Sequence, residues 1–450
     1  MKAQSDNWAV VGGGMLGMTL AHRLAQVGKQ VTLYESAPQF GGLASAWQVG
    51  DITWDRHYHV TLLSDTHLRS LLKELGLENE LRWVETKTGF YTDGKLYSMS
   101  NSVEFLQFPP LHLLDKFRLG ATIFYASRIQ DWKSLERIPV GDWLRKLSGQ
   151  RTFEKIWLPL LRAKLGDNYQ QTSAAFIWTT IARMYAARRT GLKKEMFGYV
   201  SGGYARVLAR FAEKLEAENV ILKLNSTVNQ ATTTVRNTVQ LECNDGRKTE
   251  HDHVVFTVPS SIAANMIPQL SAAETQKLNG IQYQGIVCAS VLLKQPLAQF
   301  YVTNITETWV PFTAVIEMTA LVDPAELGGH SLVYLPKYFA AGDPILKQSD
   351  EEIETNFIAA LLRMYPHLKR DDILAFKISR VRNVFPLPTL RYSENVPAME
   401  TSLPGVYIVN SSHILNGTLN VNEGIKLAEQ AMPKLLAAAK AKPAVLQQVA

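Results

Sequence analysis

The chain opens with an unbroken apolar run, Trp8 to Val11, that stops at a cluster of glycines, Gly12-Gly13-Gly14-Met15-Leu16-Gly17. From Met15 to about Val27 apolar positions recur at helical spacing, and a second run, Gln30 to Tyr34, ends on Glu35. A short apolar run before glycine reads as a buried strand and the periodic stretch as an amphipathic helix. Between about 60 and 200 the period is mainly helical. Thr66 to Leu75 ends in Gly76, a C-cap residue; Leu111 to Ile129 is opened by Pro109-Pro110; and Val140 to Leu147, Phe153 to Leu165 and Ala174 to Ala187 predict three more helices. A hairpin interrupts them, Gly89 to Thr92 and Lys95 to Tyr97 around Asp93-Gly94. From about 280 to 400 strands return at Gly285 to Leu293, Ala314 to Met318 and Ser331 to Tyr334, with a helix at Glu351 to Met364.

The first 35 residues carry chemistry as well as pattern. Gly12 permits a tight turn, Gly14 lets a pyrophosphate approach the backbone, and Gly17 lets helix and strand pack closely. The helix start presents free N–H groups and a positive dipole end to phosphate. Glu35, at the end of the second strand, is placed to accept hydrogen bonds from both ribose hydroxyls of an adenosine, and its charge argues against a 2′-phosphate there. A dinucleotide site is expected, and the motif alone does not separate NAD from FAD.

Composition narrows the class. At 450 residues, 46% apolar and 20% charged, the chain has material for two or three cores and does not read as disordered. Its two cysteines, Cys243 and Cys288, are too few for a disulfide framework or a Cys-rich zinc site, so a reducing compartment and no metal are expected. Residues 1–30 show no secretory signal pattern and no long apolar window spans a membrane, so the expected location is cytoplasmic. The net charge of +6 sits entirely in residues 151–200, where nine Lys or Arg meet three Asp or Glu. Arg183, Arg188, Arg189, Lys193 and Lys194 form its densest part. They admit three readings: a solvated helix end, a cradle for an acidic substrate, and peripheral attachment to the anionic inner face of a membrane. No recognition fold accompanies the charge, which argues against nucleic acid.

Six positions after Glu35 comes Gly41-Gly42-Leu43-Ala44, and a strand pair, Ala46 to Val49 and Ile52 to Trp54, leads into Asp55-Arg56-His57-Tyr58-His59. Here the sequence resembles the flavin amine oxidase superfamily, which includes protoporphyrinogen oxidases, carotenoid desaturases and UDP-galactopyranose mutases. Further segments carry the resemblance: Ser201-Gly202-Gly203-Tyr204 opening a helix, the strand Val220 to Leu224 followed by Val228, Asp252 to Pro259, the strand Pro404 to Val409, and Asn420-Val421-Asn422-Glu423-Gly424 opening the last helix. The resemblance implies FAD, with Gly41, Gly42 and Leu43 passing its pyrophosphate, Val228 touching adenine through its backbone, and Val421 and Asn422 facing the flavin pyrimidine. It also places His57 near the ring.

Departures from the family pattern matter as well. The usual Gly-Asp after the C-terminal strand is Asn410-Ser411, a trait shared with protoporphyrinogen oxidases, and His57 replaces a glycine. The register set by Lys294-Gln295-Pro296 puts Cys288 where strict amine oxidases carry a lysine, which argues against amine oxidation. The cysteine positions disfavour a cysteinyl flavin link, and His57 or His59 is the remaining candidate for a covalent one. His57, His59, Arg391 and Tyr392 are the candidate reacting residues, against the alternatives of passive packing for the histidines and pairing with Glu394 for Arg391.

The expected fold class is α/β: a Rossmann-like FAD-binding domain (1–60, 201–280 and 400–436), a helical insertion (61–200), a mixed-sheet substrate domain (281–399) and an Ala-rich tail (437–450). The expected function is an FAD-dependent oxidoreductase that takes a hydride equivalent from an apolar or cyclic small molecule, with or without anionic groups, and passes electrons to oxygen, a quinone or a carrier. Two rivals are kept: a non-redox flavin-dependent sugar-nucleotide mutase, and a flavin-binding protein without turnover.

Overall fold

The structure, a computed structural model, describes residues 6–188 and 195–441. Five parallel strands form one sheet in the order Ile221–Lys223, Gln30–Tyr34, Asn7–Val11, His253–Phe256, Val406–Ile408. Their residues divide by parity. Trp8, Val10, Val31, Leu33 and Val255 pack under the helices Met15–Gln26, Gly203–Ala217 and Val421–Lys440. Ala9, Val11, Val254 and Phe256 instead face an antiparallel sheet of Val228–Thr233, Val239–Cys243 and Lys248–His251 and the helix Ser260–Met266. A strand covered on both faces must be apolar at every position, which is why these segments read as continuous runs.

The second sheet has seven strands, in the order Ile373–Pro386, Tyr283–Leu293, Ser331–Phe339, Ala314–Glu317, Val302–Ile305, Thr88–Thr92, Lys95–Ser98. It is mixed, since Val302–Ile305 runs parallel to Thr88–Thr92 while the other pairs are antiparallel. Tyr283–Leu293 again sorts by parity. Val287, Ala289, Val291 and Leu293 pack on the helix Asp350–Met364, whereas Ile286, Cys288 and Leu292 face the hairpin Ala46–Val49 and Ile52–Asp55. The expected hairpin at 89–97 is therefore an edge of this sheet rather than a feature of the helical segment. The strand Ile373–Pro386 was not foreseen, because Lys377, Arg380 and Arg382 break its apolar pattern on an edge where alternate residues meet solvent.

The helices of 102–188 share one core that includes Phe108, Leu119, Trp143, Phe153, Trp157 and Trp178. Two expectations are adjusted here. The helix expected at Leu111 to Ile129 is Leu113–Ala126, its end tightening into Arg128 N–H to Tyr125 C=O and Ile129 N–H to Ala126 C=O bonds. The stretch Phe153 to Leu165 is a π-turn, Phe153–Trp157, followed by the α-helix Leu158–Leu165. Pro159 has no N–H to return to the preceding turn, so the ladder widens just before it. No helix among the described residues is long and apolar enough to cross a membrane.

Candidate functional site

At one end of the parallel sheet the backbone does the work. Gly12 takes φ +113° and donates its N–H to Tyr34 C=O at 2.9 Å. A Cβ on Gly17 would lie 1.9 Å from the Gly12 carbonyl oxygen, so only glycine allows the helix this close. Gly14, by contrast, faces open space within 4 Å, and the helix Met15–Gln26 that it opens has no side-chain cap. The double glycine closes the same corner: Gly41 N–H donates to Gly13 C=O at 2.8 Å, and a Cβ on Gly42 would come 3.3 Å from Gly14 Cα. Uncapped N–H groups, a dipole end and room at Gly14 fit a pyrophosphate.

Glu35 completes this end. Its carboxylate accepts from Gly13 N–H at 2.7 Å and Ala37 N–H at 2.8 Å, which aims it at the glycine corner. Ser226 N–H donates to the Glu35 carbonyl at 2.9 Å, so the segment leading to Val228 runs beside the acid. Val228 itself is buried and starts the strand Val228–Thr233.

The opposite end is built from buried side chains. His57 Nδ1 lies 3.0 Å from Leu43 C=O, and its Nε2 lies 3.2 Å from Ser379 Oγ. The carbonyl can only accept, so Nδ1 carries the proton and Nε2 accepts from Ser379. Burial lowers the His57 pKa to about 4, against the raising effect of the Leu43 bond. His57 is thus a neutral ring that joins the double-glycine segment to the seven-stranded sheet. His59 turns elsewhere: its Nδ1 sits 2.8 Å from His57 C=O, and its ring lies 4.9 Å from that of Tyr204. Burial lowers its pKa to about 4 as well. Residues 56–60 are not a strand, so the two rings do not share one face as they would in an extended chain.

Beside His59 lies a small cavity of about 20 Å³ lined by Trp54, Asp55, His59, Tyr204 and Met318. Asp55 accepts from Tyr204 N–H at 2.7 Å, yet burial pushes its pKa up to about 7. Tyr58 and Tyr338 face each other hydroxyl to hydroxyl at 2.8 Å. Cys288 is wholly buried, and burial holds its thiol well above the ordinary range, so it stays protonated. Cys243 is buried and free too.

The C-terminal part closes the site. Asn410 donates to Val258 C=O at 2.8 Å and accepts from Ser412 N–H at 3.0 Å, pinning together the loops that follow two strands of the parallel sheet. Tyr392 is buried and donates to Ser412 C=O at 2.9 Å, so it serves that same junction. Arg391, at φ +54°, has a side chain 63% exposed and 4.0 Å from Glu394. Val421 is the first residue of the last helix, and Asn420 caps it by accepting from Glu423 N–H at 3.0 Å. The Asn422 carboxamide accepts from His67 and Leu68 N–H at 3.0 and 3.1 Å, capping the helix Thr66–Glu74, and donates to Glu423 Oε1 at 3.3 Å.

Of the basic segment, Arg183 forms a two-pronged pair with Asp65 at 3.1 and 3.2 Å and reaches Thr418 Oγ1 at 3.4 Å. Its charge ties the helix Ala174–Arg188 to the loop before the last helix instead of standing open for an anion. The Arg188 side chain and Arg189, with Lys193 and Lys194, lie outside the described residues. Asp65, Ser379 and Tyr338 were missed by sequence reasoning. Asp65, ahead of an apolar period, reads as a helix cap, and Ser379 and Tyr338 signal nothing until two strands are paired.

The family model described as flavin containing amine oxidoreductase matches residues 16–424. The chain is 23% identical over 280 residues to the 15-cis-phytoene desaturase, chloroplastic/chromoplastic, of Capsicum annuum, covering 58% of this chain and 47% of that one. It is 21% identical over 391 residues to the 15-cis-phytoene desaturase of Synechococcus elongatus, covering 80% of each. The chain spans about half the length of the first desaturase relatives it matches. A solved structure from Exiguobacterium sp., described as a protoporphyrinogen oxidase, superposes with a TM-score of 0.75 at 18% identity over 96% of this chain and 99% of that one. At that identity the likeness is one of fold.

Proposed function

The chain belongs to the flavin containing amine oxidoreductase family, and we propose that it removes a hydride equivalent from an apolar or cyclic substrate rather than from an amine. It is a flavin oxidoreductase with FAD as its cofactor. When bound, FAD supplies the two-electron chemistry. This chain's own residues supply the rest: Gly12, Gly14, Gly17, Gly41 and Gly42 make room for the pyrophosphate, Glu35 meets the ribose, and the start of the last helix offers its dipole to the ring.

The observation that carries the substrate reading is the scarcity of fixed charge among the buried side chains of the ring end. His57 and His59 are uncharged near pH 7, Cys288 is a thiol where a lysine stands in strict amine oxidases, and Tyr58 and Tyr338 satisfy each other. Such groups exclude water and orient a substrate by shape, and the one cavity-lining carboxyl named above, Asp55, is held by burial at a pKa of about 7 rather than fully ionised. Desaturases among the relatives favour a long conjugated hydrocarbon within this class.

Anaerobic bleaching of the bound flavin tests the proposal. A panel should contain a long polyene, a reduced cyclic tetrapyrrole, putrescine and a sugar nucleotide. Bleaching by one of the first two and none by putrescine is expected. Bleaching by the amine overturns the reading, as does turnover of the sugar nucleotide only after dithionite reduction. If the whole panel leaves the flavin oxidised, the protein binds FAD without this chemistry.

A further inference from the structure

The helix Leu113–Ala126 is apolar on two sides. Lys116, Leu119, Thr122 and Ala126 are buried, so its inner side packs into the helical core. At about 100° per residue, Leu113, Leu114, Phe117, Phe124 and Tyr125 fall within an outward arc of roughly 120°. All five are exposed, Leu113 by 73% and Phe117 by 74%. The neighbouring helix Ser102–Gln107 adds Val103 and Leu106, also exposed. Lys116 joins the two helices by donating to Leu106 C=O at 2.6 Å. A helix that is apolar all round is ordinarily covered on both sides, and a patch of this size marks a docking surface.

Charge identifies what covers it. Arg118 on the helix, Arg128 just past its end and Lys133 five residues further on are all exposed, and among the described residues none has a carboxylate within 4.0 Å, the Arg118 guanidinium lying beside Gly149. Of the acids beside them, Asp115 pairs with Arg151 at 3.5 Å, Glu104 accepts from Ser100 N–H at 2.7 Å, and Asp131 caps its own short helix by accepting from Ser134 N–H at 3.4 Å. Arg128 lies 5.0 Å above the ring of Phe124 and Lys133 6.0 Å from that of Trp132, an arrangement in which cationic tips extend from apolar bodies. A symmetric pair of copies joined through this face would press two cationic rims together. Anionic headgroups around an apolar interior complement both features.

We propose that the helices Ser102–Gln107 and Leu113–Ala126 form a docking face for an anionic lipid bilayer, with Leu113, Leu114, Phe117 and Phe124 entering the acyl boundary and Arg118, Arg128 and Lys133 meeting headgroups. This face is separate from the basic segment 183–194. The inner side of the helix shares its core with Phe385 of the seven-stranded sheet and Leu387 just past it, so the core beneath the bilayer extends towards the proposed flavin site. That link to substrate delivery rests on the apolar-substrate reading; the docking does not.

The test is co-sedimentation of the flavin-loaded full chain with phosphatidylcholine vesicles, with and without roughly one third phosphatidylglycerol. The wild type should sediment with the anionic vesicles. The Phe117→Ser/Phe124→Ser variant should lower its partition coefficient roughly ten-fold or more at unchanged flavin content. Arg118→Gln/Arg128→Gln should abolish the preference for phosphatidylglycerol. If the phenylalanine variant loses flavin, Leu113→Asn/Leu114→Asn reads the same face from the helix start. Wild type that sediments with neither vesicle overturns the proposal, as do apolar-face variants that bind like wild type. A dimer by light scattering that the same variants dissolve, without lipid binding, assigns the face to a second copy and also overturns it. Sedimentation is independent of turnover, so failure of the bleaching test leaves this result intact.

Discussion

The two ends of the proposed cofactor site are made of different materials. At the glycine corner the recognising groups are backbone N–H donors and one carboxylate, all within residues 12–42, and the decisive property is the absence of side chains. At the ring end they are buried rings and hydroxyls drawn from distant parts of the chain, with His57 meeting Ser379 and Tyr58 meeting Tyr338. The first end tolerates no added atom. The second tolerates no added charge, because desolvation is what holds its groups neutral.

Gly17→Ala should break the comparison at its strict end: the new Cβ meets the Gly12 oxygen at 1.9 Å, and purified protein should lose its absorbance near 450 nm almost completely. Next in size is the acid limb of stability. His57 has its folded pKa lowered to about 4, so the unfolded chain binds the extra proton first as pH falls, and stability is lost between about 6.5 and 4. The loss approaches about 3 kcal/mol once pH lies below 4. His57→Gln should therefore narrow the difference in Tm between pH 7 and pH 4.5, and an unchanged difference would show that the ring is not held neutral by burial. Glu35→Ala removes the expected ribose acceptor and should weaken FAD by about 2 kcal/mol, some 30-fold, in a flavin-release titration. Smallest is Arg391→Ala, which should alter Tm by less than about 0.5 kcal/mol equivalent and leave flavin reduction within about two-fold, since the guanidinium is exposed. A large loss there would move the reacting centre toward Arg391.

Much of the glycine end was legible without coordinates. Glycine spacing, the helix period and an acid after the second strand are local features, and the structure joins Gly13, Gly14, Glu35 and Gly41 at one corner. The long strands were legible where both faces are covered, as in Tyr283–Leu293, and lost where one edge is wet, as in Ile373–Pro386. Arg183 shows the opposite failure. Its charge was plain, but only the packing of a helix against residues 65 and 418 made it a structural pair instead of an open cation.

The sequence by itself determined the glycine corner, the α/β class and the family, because each depends on residues close together in the chain or on periods that a sheet or helix imposes. Tertiary structure alone decided which polar groups lose water, that the two histidines point apart, that Asn422 caps a neighbouring helix, and that one side of Leu113–Ala126 stays uncovered. Burial and pairing are properties of neighbours that fold into place from hundreds of residues away, and no local pattern encodes which neighbours those are.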